Sequence, residues 1–274
     1  MKNKGILFRL NVIYAIILIV LIIVTSIVFA SIGESAFNFK EPNRKDISEV
    51  YDIDNLKKIS VDVDNADVNV VGVDKEEVNV MVTGNRSGDM IVENKNGILK
   101  IKEKLWFAFL DFSVLFNREE KLQIEILVPK NFGGNIEIDV VSGNITGTSL
   151  VTENIEIDAV SAKIDFTDIN FGEINIDTIS SAVALKNISG NVIDITQVSG
   201  DSFIALKTLP KEINADTVSG RIDISVYEVK EKKEFDIDFD TVSGNLIVDP
   251  VVSINSNSNH SINVDTVSGN LQVR

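Results

Sequence analysis

Cysteine is absent from this 274-residue chain. Proline occurs only four times, and histidine and tryptophan occur once each. Without cysteine there is no disulfide framework, and no thiolate is present for catalysis or metal binding. The one histidine, His260, follows the polar run Asn255-Ser-Asn-Ser-Asn, where a solvated side chain is a simpler interpretation than a ligand or a general base. The sequence thus offers few of the side chains on which enzymes rely.

Seven copies of the phrase Val-Ser-Gly, or a close variant of it, are present in the second half of the chain. Their serines are spaced by 19, 19, 19, 20, 24 and 25 residues. A nearly fixed period of this length indicates stacked structural units, none of which can bury its apolar face without a neighbour. The seven serines are Ser142, Ser161, Ser180, Ser199, Ser219, Ser243 and Ser268.

Apolar and polar residues alternate on both sides of each serine. Around Ser161, for example, Ile155 and Ile157 come before the serine and Ile164 and Phe166 come after it. The pattern predicts strand, corner and strand, with one face of each strand buried. The residue just before each serine is always aliphatic and breaks the alternation. We interpret it as a bend, eased by the glycine or small residue after the serine, through which both strands face one core.

The sequence therefore predicts an all-β fold, a parallel β-solenoid of roughly 19–25-residue coils preceded by one N-terminal transmembrane helix. Seven coils stacked at about 4.8 Å would extend over about 34 Å. In this interpretation residues 131–274 are the regular solenoid, residues 57–130 its irregular first turns and cap, and residues 34–56 a stalk. The serine hydroxyls, and the aspartate three residues before most of them, are expected to bind backbone groups at the corners.

The N-terminal segment combines positive charge with a long apolar run. Three basic residues within the first nine are followed by an uncharged stretch over residues 10–33, which is long enough to cross a bilayer as a helix. Positive charge on the short leading segment predicts residues 1–9 as a cytoplasmic tail, residues 10–33 as the transmembrane helix, and a C-terminal domain outside the cytoplasm. A cleaved signal peptide with its cleavage site after Ala30 is the alternative.

The net charge is −15, and removing the three basic residues of the leading segment changes it to −18 for the remainder. So acidic a balance argues against nucleic acid as a partner. It also argues against electrostatic adhesion to anionic lipids or wall polymers, except through bridging cations. On outward strand faces, acidic residues also keep a strand-rich rod soluble and discourage edge pairing.

Three features together resemble a known bacterial family. They are Ile59-Ser-Val-Asp-Val63 with Asn65-Ala-Asp-Val-Asn-Val70, the closure Leu127-Val-Pro-Lys130, and the serial Asp-Thr-Val-Ser-Gly copies. Over roughly residues 50–274 the chain is similar to the bacterial putative-adhesin domain family of unknown function, and to its LiaG-like, membrane-anchored members found with cell-envelope stress-response operons. The resemblance implies a β-solenoid and carries no catalytic residues or cofactors to transfer.

Residues 105–116 depart from the alternation and contain the only tryptophan. As aromatic side chains fill apolar space well, the segment could plug the open end of the solenoid core. Alternatively, it is an exposed apolar loop that contacts the membrane interface or a membrane partner. In the second case the candidate interaction residues are Trp106, Phe107, Phe109 and Phe112.

The aspartate before the serines is the one acidic feature with regular spacing. Aspartates in adjacent coils would lie about 5 Å apart, near the carboxylate separation of retaining glycosidases. A catalytic pair, however, is a local exception in a repeat, whereas here six of the seven copies carry the aspartate and Thr196 replaces it once. Calcium binding is a further alternative, although the glycine-aspartate nonapeptide of calcium-binding β-rolls is absent. No residue is therefore assigned as catalytic, cofactor-binding or metal-binding.

The preferred function is a non-enzymatic binding or structural module at the cell envelope, with a role in envelope stress implied by the resemblance. Its expected partners are the membrane, through the N-terminal helix, and an envelope protein or wall polymer. The alternative is a carbohydrate-active β-solenoid enzyme that uses paired aspartates. The two longest repeat intervals contain insertions, at residues 226–234 and 250–260, which are expected to protrude as loops. Such loops either offer binding sites or are inert.

Overall fold

A computed structural model describes residues 44–274 apart from residues 55, 85 and 105–120. Over these residues the chain is all-β, with one short 3₁₀ turn at Ser87–Asp89. The predicted all-β, solenoid-like fold is confirmed. The predicted cytoplasmic tail, the transmembrane helix and residues 34–43 and 55 of the stalk lie outside the described residues. No helix within the described part is long and apolar enough to cross a membrane.

The strands fall into an irregular N-terminal group and a regular array. The first group is β1 (Ile47–Asp52), β2 (Lys58–Val73), β3 (Glu77–Thr83), β4 (Met90–Lys95), β5 (Ile98–Glu103) and β6 (Leu122–Pro129). The regular array is β7 (Asn135–Thr148), β8 (Asn154–Thr167), β9 (Glu173–Ser180), β10 (Ala182–Ile188), β11 (Val192–Ser199), β12 (Ser202–Leu206), β13 (Glu212–Ser225), β14 (Glu234–Thr241), β15 (Leu246–Val248), β16 (Ser253–Ile254) and β17 (Ser261–Val273).

Neighbouring coils stack in parallel with matching register. In β7 and β8, Ile136 lies beside Ile155 and Ser142 lies beside Ser161. Because equivalent residues share one row, the inward aliphatic side chains of successive coils stack on one another and form one continuous core. Each coil closes through a short third side. After β8, for example, Asn170 bridges to the coils before and after it.

The order of the coils along the stack differs from their order in the sequence at both ends. The last strand, β17, lies between β13 and β14, so that Ile262 has Ile213 on one side and Ile237 on the other. At the opposite end, β2 lies between β7 and the later strands β5 and β6. From end to end the order is β5 with β6, β2, β7, β8, β9 with β10, β11 with β12, β13, β17, and β14 with β15.

The residue before each serine faces outward, so the expected inward bend at this position is wrong. Val160 is 42% exposed, whereas Ala159, one residue earlier, is buried. The alternation continues up to this residue and breaks at the serine. The small residue after the serine then points inward, as Ala162 does. The outward valine and the serine therefore both lie on the outside of the corner.

The two insertions fold back onto the stack instead of protruding, which corrects the second expectation. In residues 226–234, Val226 and Val229 are buried. In residues 250–260, Val252 is buried and β16 pairs with the first residues of β14. His260, expected to be solvated, donates a hydrogen bond from Nδ1 to the Pro210 carbonyl oxygen at 2.6 Å and meets the Phe235 ring edge-on. These segments cover part of the coil at this end of the stack, which is formed by β14 and β15 and is called here the last coil.

A glycine at the corner is required where the backbone has positive φ. Gly143 has φ +148°, and a Cβ at this position would lie 1.8 Å from the Ala66 carbonyl oxygen in the neighbouring coil. We expect Gly143→Ala to lower the free energy of unfolding by about 2–4 kcal/mol, through backbone strain and loss of this close approach. The matched control is Ala162→Gly, at the same position one coil later, which should cost about 1 kcal/mol or less. Equal shifts of the two urea midpoints of the full-length chain would contradict the requirement.

Candidate functional site

The corners of successive coils align along the stack into one surface, called here the corner face. Three outward rows form it: the aspartates three residues before the serines, the aliphatic residues just before the serines, and the serines themselves. In stack order the aliphatic row contains Val141, Val160, Ile179, Val198, Val218, Val267 and Val242.

Carboxylates of the aspartate row are brought together by the register of the strands. Asp62, Asp139, Asp158 and Asp177 are partners in four successive coils. Partial burial raises the pKa of Asp139, and repulsion from Asp62 raises it further, while a hydrogen bond with Asp158 partly offsets the increase. The pKa of Asp158 is raised by partial burial and by repulsion from Asp139. Like charges directly opposite one another on neighbouring strands oppose folding.

The repulsion within the aspartate row is relieved at the position where threonine replaces aspartate. Thr196 lies beside Asp177 and binds its carboxylate through a side-chain hydrogen bond, which lowers the pKa of Asp177 against the increase from burial and from Asp158. The replacement that interrupts the sequence pattern therefore removes a charge and adds a donor in the middle of the ladder. The aspartate side chains bind one another and Thr196, so the expected role in capping the corner backbone is wrong for Asp139, Asp158 and Asp177.

The corners are instead held by polar side chains that point inward, two residues before the serine. Gln197 donates from Nε2 to the Gly200 carbonyl oxygen at 2.6 Å and accepts from Ser202 Oγ at 3.1 Å. Thr217 donates to the Ser219 carbonyl oxygen at 3.2 Å. Both side chains are buried, so each bond satisfies a group that would otherwise lack a partner inside the core. Sequence reasoning missed these residues, although a threonine or glutamine in an inward position of the alternation marks them.

The aliphatic row is the most unusual feature of the corner face. Val141 is 45% exposed, Val267 42% and Val242, in the last coil, 83%. These side chains do not contribute to the buried core, yet each of the seven copies has valine or isoleucine here. A continuous apolar stripe on an otherwise acidic surface is typical of a contact surface for another molecule. Sequence reasoning found the row and assigned it to the wrong side of the strand.

The described residues contain no cluster of metal-ligating side chains on the corner face. Among the residues that the structure describes, no three histidine, aspartate or glutamate side chains are placed to hold a metal ion. The candidate interaction residues Trp106, Phe107, Phe109 and Phe112 lie outside the described residues. Strand β5 ends at Glu103 and β6 begins at Leu122. In the sequence, residues 105–120 therefore lie between these two strands, which form the first coil.

Comparisons with known proteins point to one family. A family model described as Toastrack DUF4097 matches residues 56–274. Among curated proteins, none matches the chain. Similar solved structures include a putative adhesin from Bacteroides fragilis, with 14% identity over 85% of this chain and 99% of that one and a TM-score of 0.47. A putative lipid binding protein from Parabacteroides distasonis has 14% identity over 85% and 98%, with a TM-score of 0.45.

A third similar structure is a putative cell adhesion protein from Clostridium sporogenes, with 11% identity over 84% of this chain and 99% of that one and a TM-score of 0.39. With TM-scores below 0.5, none of these likenesses bears on what this chain binds.

Repulsion within the aspartate row has a measurable effect on stability. A raised pKa in the folded state means that the folded chain binds more protons than the unfolded chain above the unfolded value of about 3.9, so the free energy of unfolding rises as pH falls from neutral into this window. We expect Asp158→Asn to stabilise the full-length chain at pH 7 by about 0.5–1 kcal/mol and to reduce the gain on acidification.

The matched control for this change is Asp165→Asn. Asp165 accepts hydrogen bonds from Lys186 Nζ at 2.7 and 2.9 Å, so its removal should be neutral or destabilising by up to about 1 kcal/mol. Urea titrations at pH 5 and pH 7 measure both effects. Destabilisation by Asp158→Asn at pH 7 would show that the aspartate row contributes to stability instead of opposing it.

Proposed function

The chain belongs to the Toastrack family, and from the outward rows of its coils we propose that it is a non-enzymatic binding module, anchored in the cell membrane, whose solenoid lies outside the cytoplasm. One observation supports this function above the others: the aliphatic row of the corner face has no role in the core and is still aliphatic in all seven copies. A partner that covers this row would bury the outward valines, which explains why the position is aliphatic in every coil.

The chemistry of the partner follows from the two rows that lie side by side. Aliphatic side chains favour an apolar contact, and the aspartate row beside them favours lysine or arginine at the edge of that contact. The excess of negative charge disfavours anionic wall polymers. We therefore propose an envelope protein as the partner, with aliphatic residues flanked by basic ones. The role in envelope stress rests on the sequence resemblance alone.

Glycan hydrolysis is the competing function, and one observation favours it. Asp139 and Asp158 share a hydrogen bond and both have a raised pKa, as the acid of a glycosidase pair does. The pKa of Asp177 and the pKa of Asp194, in the next two coils, are also raised, by burial and by a neighbouring aspartate. A property shared by four coils supports a consequence of stacking over a single active site, so we assign no catalytic residue.

Two proposed contact surfaces can be separated by substitution. In the first variant Val141, Val160 and Val218 are replaced by serine; in the second, Trp106 and Phe109 are replaced by alanine. The three valine side chains do not contribute to the buried core. Cells that produce the full-length chain with a photo-crosslinking residue at Lys163, near the corner face, should yield one envelope-protein adduct. We expect the serine variant to lose this adduct and the alanine variant to keep it.

The opposite outcome would identify the aromatic segment as the contact and exclude the aliphatic row. Conversion of Thr146, Thr148 and Thr167 to serine is the matched control for three outward substitutions and should change nothing. Hydrolysis of purified cell-wall glycan by the full-length chain, abolished by Asp158→Asn, would overturn the non-enzymatic function.

Membrane anchoring has its own test. The full-length chain should stay in the membrane pellet after an alkaline carbonate wash, whereas a chain that lacks residues 1–33 should be released. Intact-mass measurement of the chain from membranes should give the mass that begins at Met1. A mass that begins at Ser31 would instead show cleavage after Ala30 and loss of the anchor.

A further inference from the structure

Within the part of the chain that the structure describes, the last coil of the stack has a free edge. β14 pairs with β17 on one side, and on its other side the described structure pairs it only with β16, at Glu234 and Phe235. β15 pairs with β17 alone. By contrast, the first coil is followed by further strands, with β4 on β5 and β3 on β6. Residues 236–241 of β14 and the whole of β15 therefore have a strand edge that can accept another strand.

Apolar side chains of this coil are only partly covered. Leu246 is 39% exposed, and Ile237 and Phe239 are partly buried, whereas the equivalent residues of β17 are fully buried. Around them Ile247 and Ile254 are 55% and 58% exposed. The insertions cover the coil at Phe235, which is completely buried, and leave the rest open. The core of the solenoid thus reaches the surface at this end.

The outward residues of β14 restrict which strand can cover the edge. Asp236, Asp238 and Asp240 occupy the outward positions, where β17 has Ser261, Asn263 and Asp265. A second strand with acidic outward residues would be repelled, and acidic residues on a free edge commonly prevent association of identical copies. A strand with basic residues in the same rows would be attracted.

The molecule contains a strand of this kind at its opposite end. In β5, Leu99 and Ile101 point inward and are buried, while Lys100 and Lys102 point outward. Lys102 lies beside Asp62, the first member of the aspartate row. The acidic array is therefore closed at one end by a parallel strand that alternates aliphatic residues with lysine. That strand is already enclosed between β2 and β4, so it cannot serve another copy.

We propose that the free edge of β14 binds a parallel strand from a different protein, in which aliphatic residues alternate with lysine or arginine, as in β5. Continuing the register of the stack places two basic residues beside Asp238 and Asp240 and two aliphatic residues over Ile237 and Phe239. Backbone pairing provides the attachment, and the two acidic positions select the partner. This interface is formed by the free edge of β14; it shares Asp240 with the aspartate row of the corner face but does not depend on the proposed function.

The test uses a probe taken from the chain itself. A fluorescein-labelled peptide with the sequence of residues 97–104, Gly-Ile-Leu-Lys-Ile-Lys-Glu-Lys, is titrated with the full-length chain in detergent micelles, and binding is followed by anisotropy. A second peptide has glutamate in place of its two inner lysines. The first peptide should bind roughly tenfold or more tightly than the second, and the difference should shrink as salt is added.

Charge reversal then locates the site. In the variant Asp238→Lys with Asp240→Lys, both exposed positions, the preference should invert, so that the glutamate peptide binds more tightly. The matched control, Glu156→Lys with Asp158→Lys, makes the same change in the same two rows of β8, whose edges are both paired, and should leave the preference for the lysine peptide intact.

Three outcomes would overturn the proposal. The first is failure of the lysine peptide to bind, the second an unchanged preference after reversal at Asp238 and Asp240, and the third an equal effect of the β8 reversal. Self-association of the wild-type chain that the reversal at Asp238 and Asp240 abolishes would also contradict it, because the edge would then be occupied by a second copy.

Discussion

The structure depends on one constraint: no coil can bury its own apolar residues, so each must match the register of its neighbours. Inward rows such as Ile136, Ile155 and Ile174 are buried only because an equivalent side chain lies about 4.8 Å away on each side. A shift by one residue would turn every inward side chain outward. Register is therefore fixed everywhere along the stack, and every property of one coil is repeated in the next.

Repetition has a cost on the outside. The same register that stacks isoleucines also stacks aspartates, and partial burial together with the resulting repulsion raises the pKa of Asp139, Asp158 and Asp177. It also aligns the outward valines into a continuous stripe that a single strand would not have. The surface of this protein is thus made of rows, and any partner that binds the side of the stack contacts rows of equivalent residues.

A repeating stack must also end. At both ends the strands leave the sequence order: β2 is inserted between β7 and the first coil, and β17 is inserted between β13 and the last coil. Antiparallel strands then cover the first coil, whereas the last coil keeps an exposed edge with three aspartates along it. Since the core is continuous, the open end exposes the same kind of apolar surface that the rest of the molecule hides.

Much of this fold could be predicted from the sequence, because alternation with period two and a repeat of about 19 residues leave few alternatives. The outward orientation of Val160 could not be predicted. The alternation breaks within two residues of the corner, and the sequence pattern is the same whether the break falls at the valine or at the serine. Gln197 was not predicted to be buried, because a polar side chain does not mark an inward position in a pattern that is read from apolar residues.

Coil order could not be predicted either. β13, β14 and β17 carry nearly the same phrase, so any of them fits against any other. The placement of Trp106 and its neighbours stays a prediction, as does the membrane helix over residues 10–33.

The insertion of β17 between β13 and β14 is the central claim, and the absence of cysteine makes it directly measurable. Outward residues on neighbouring strands have Cα atoms close enough for a disulfide, whereas residues two strands apart, at about 10 Å, do not. Full-length chains with Asp216→Cys and Asp265→Cys, or with Asp216→Cys and Asp240→Cys, are oxidised and analysed by mass spectrometry of peptides. The account predicts an intramolecular disulfide in the first variant and none in the second. A disulfide in the second variant and none in the first would show that the coils stack in sequence order and would contradict the account.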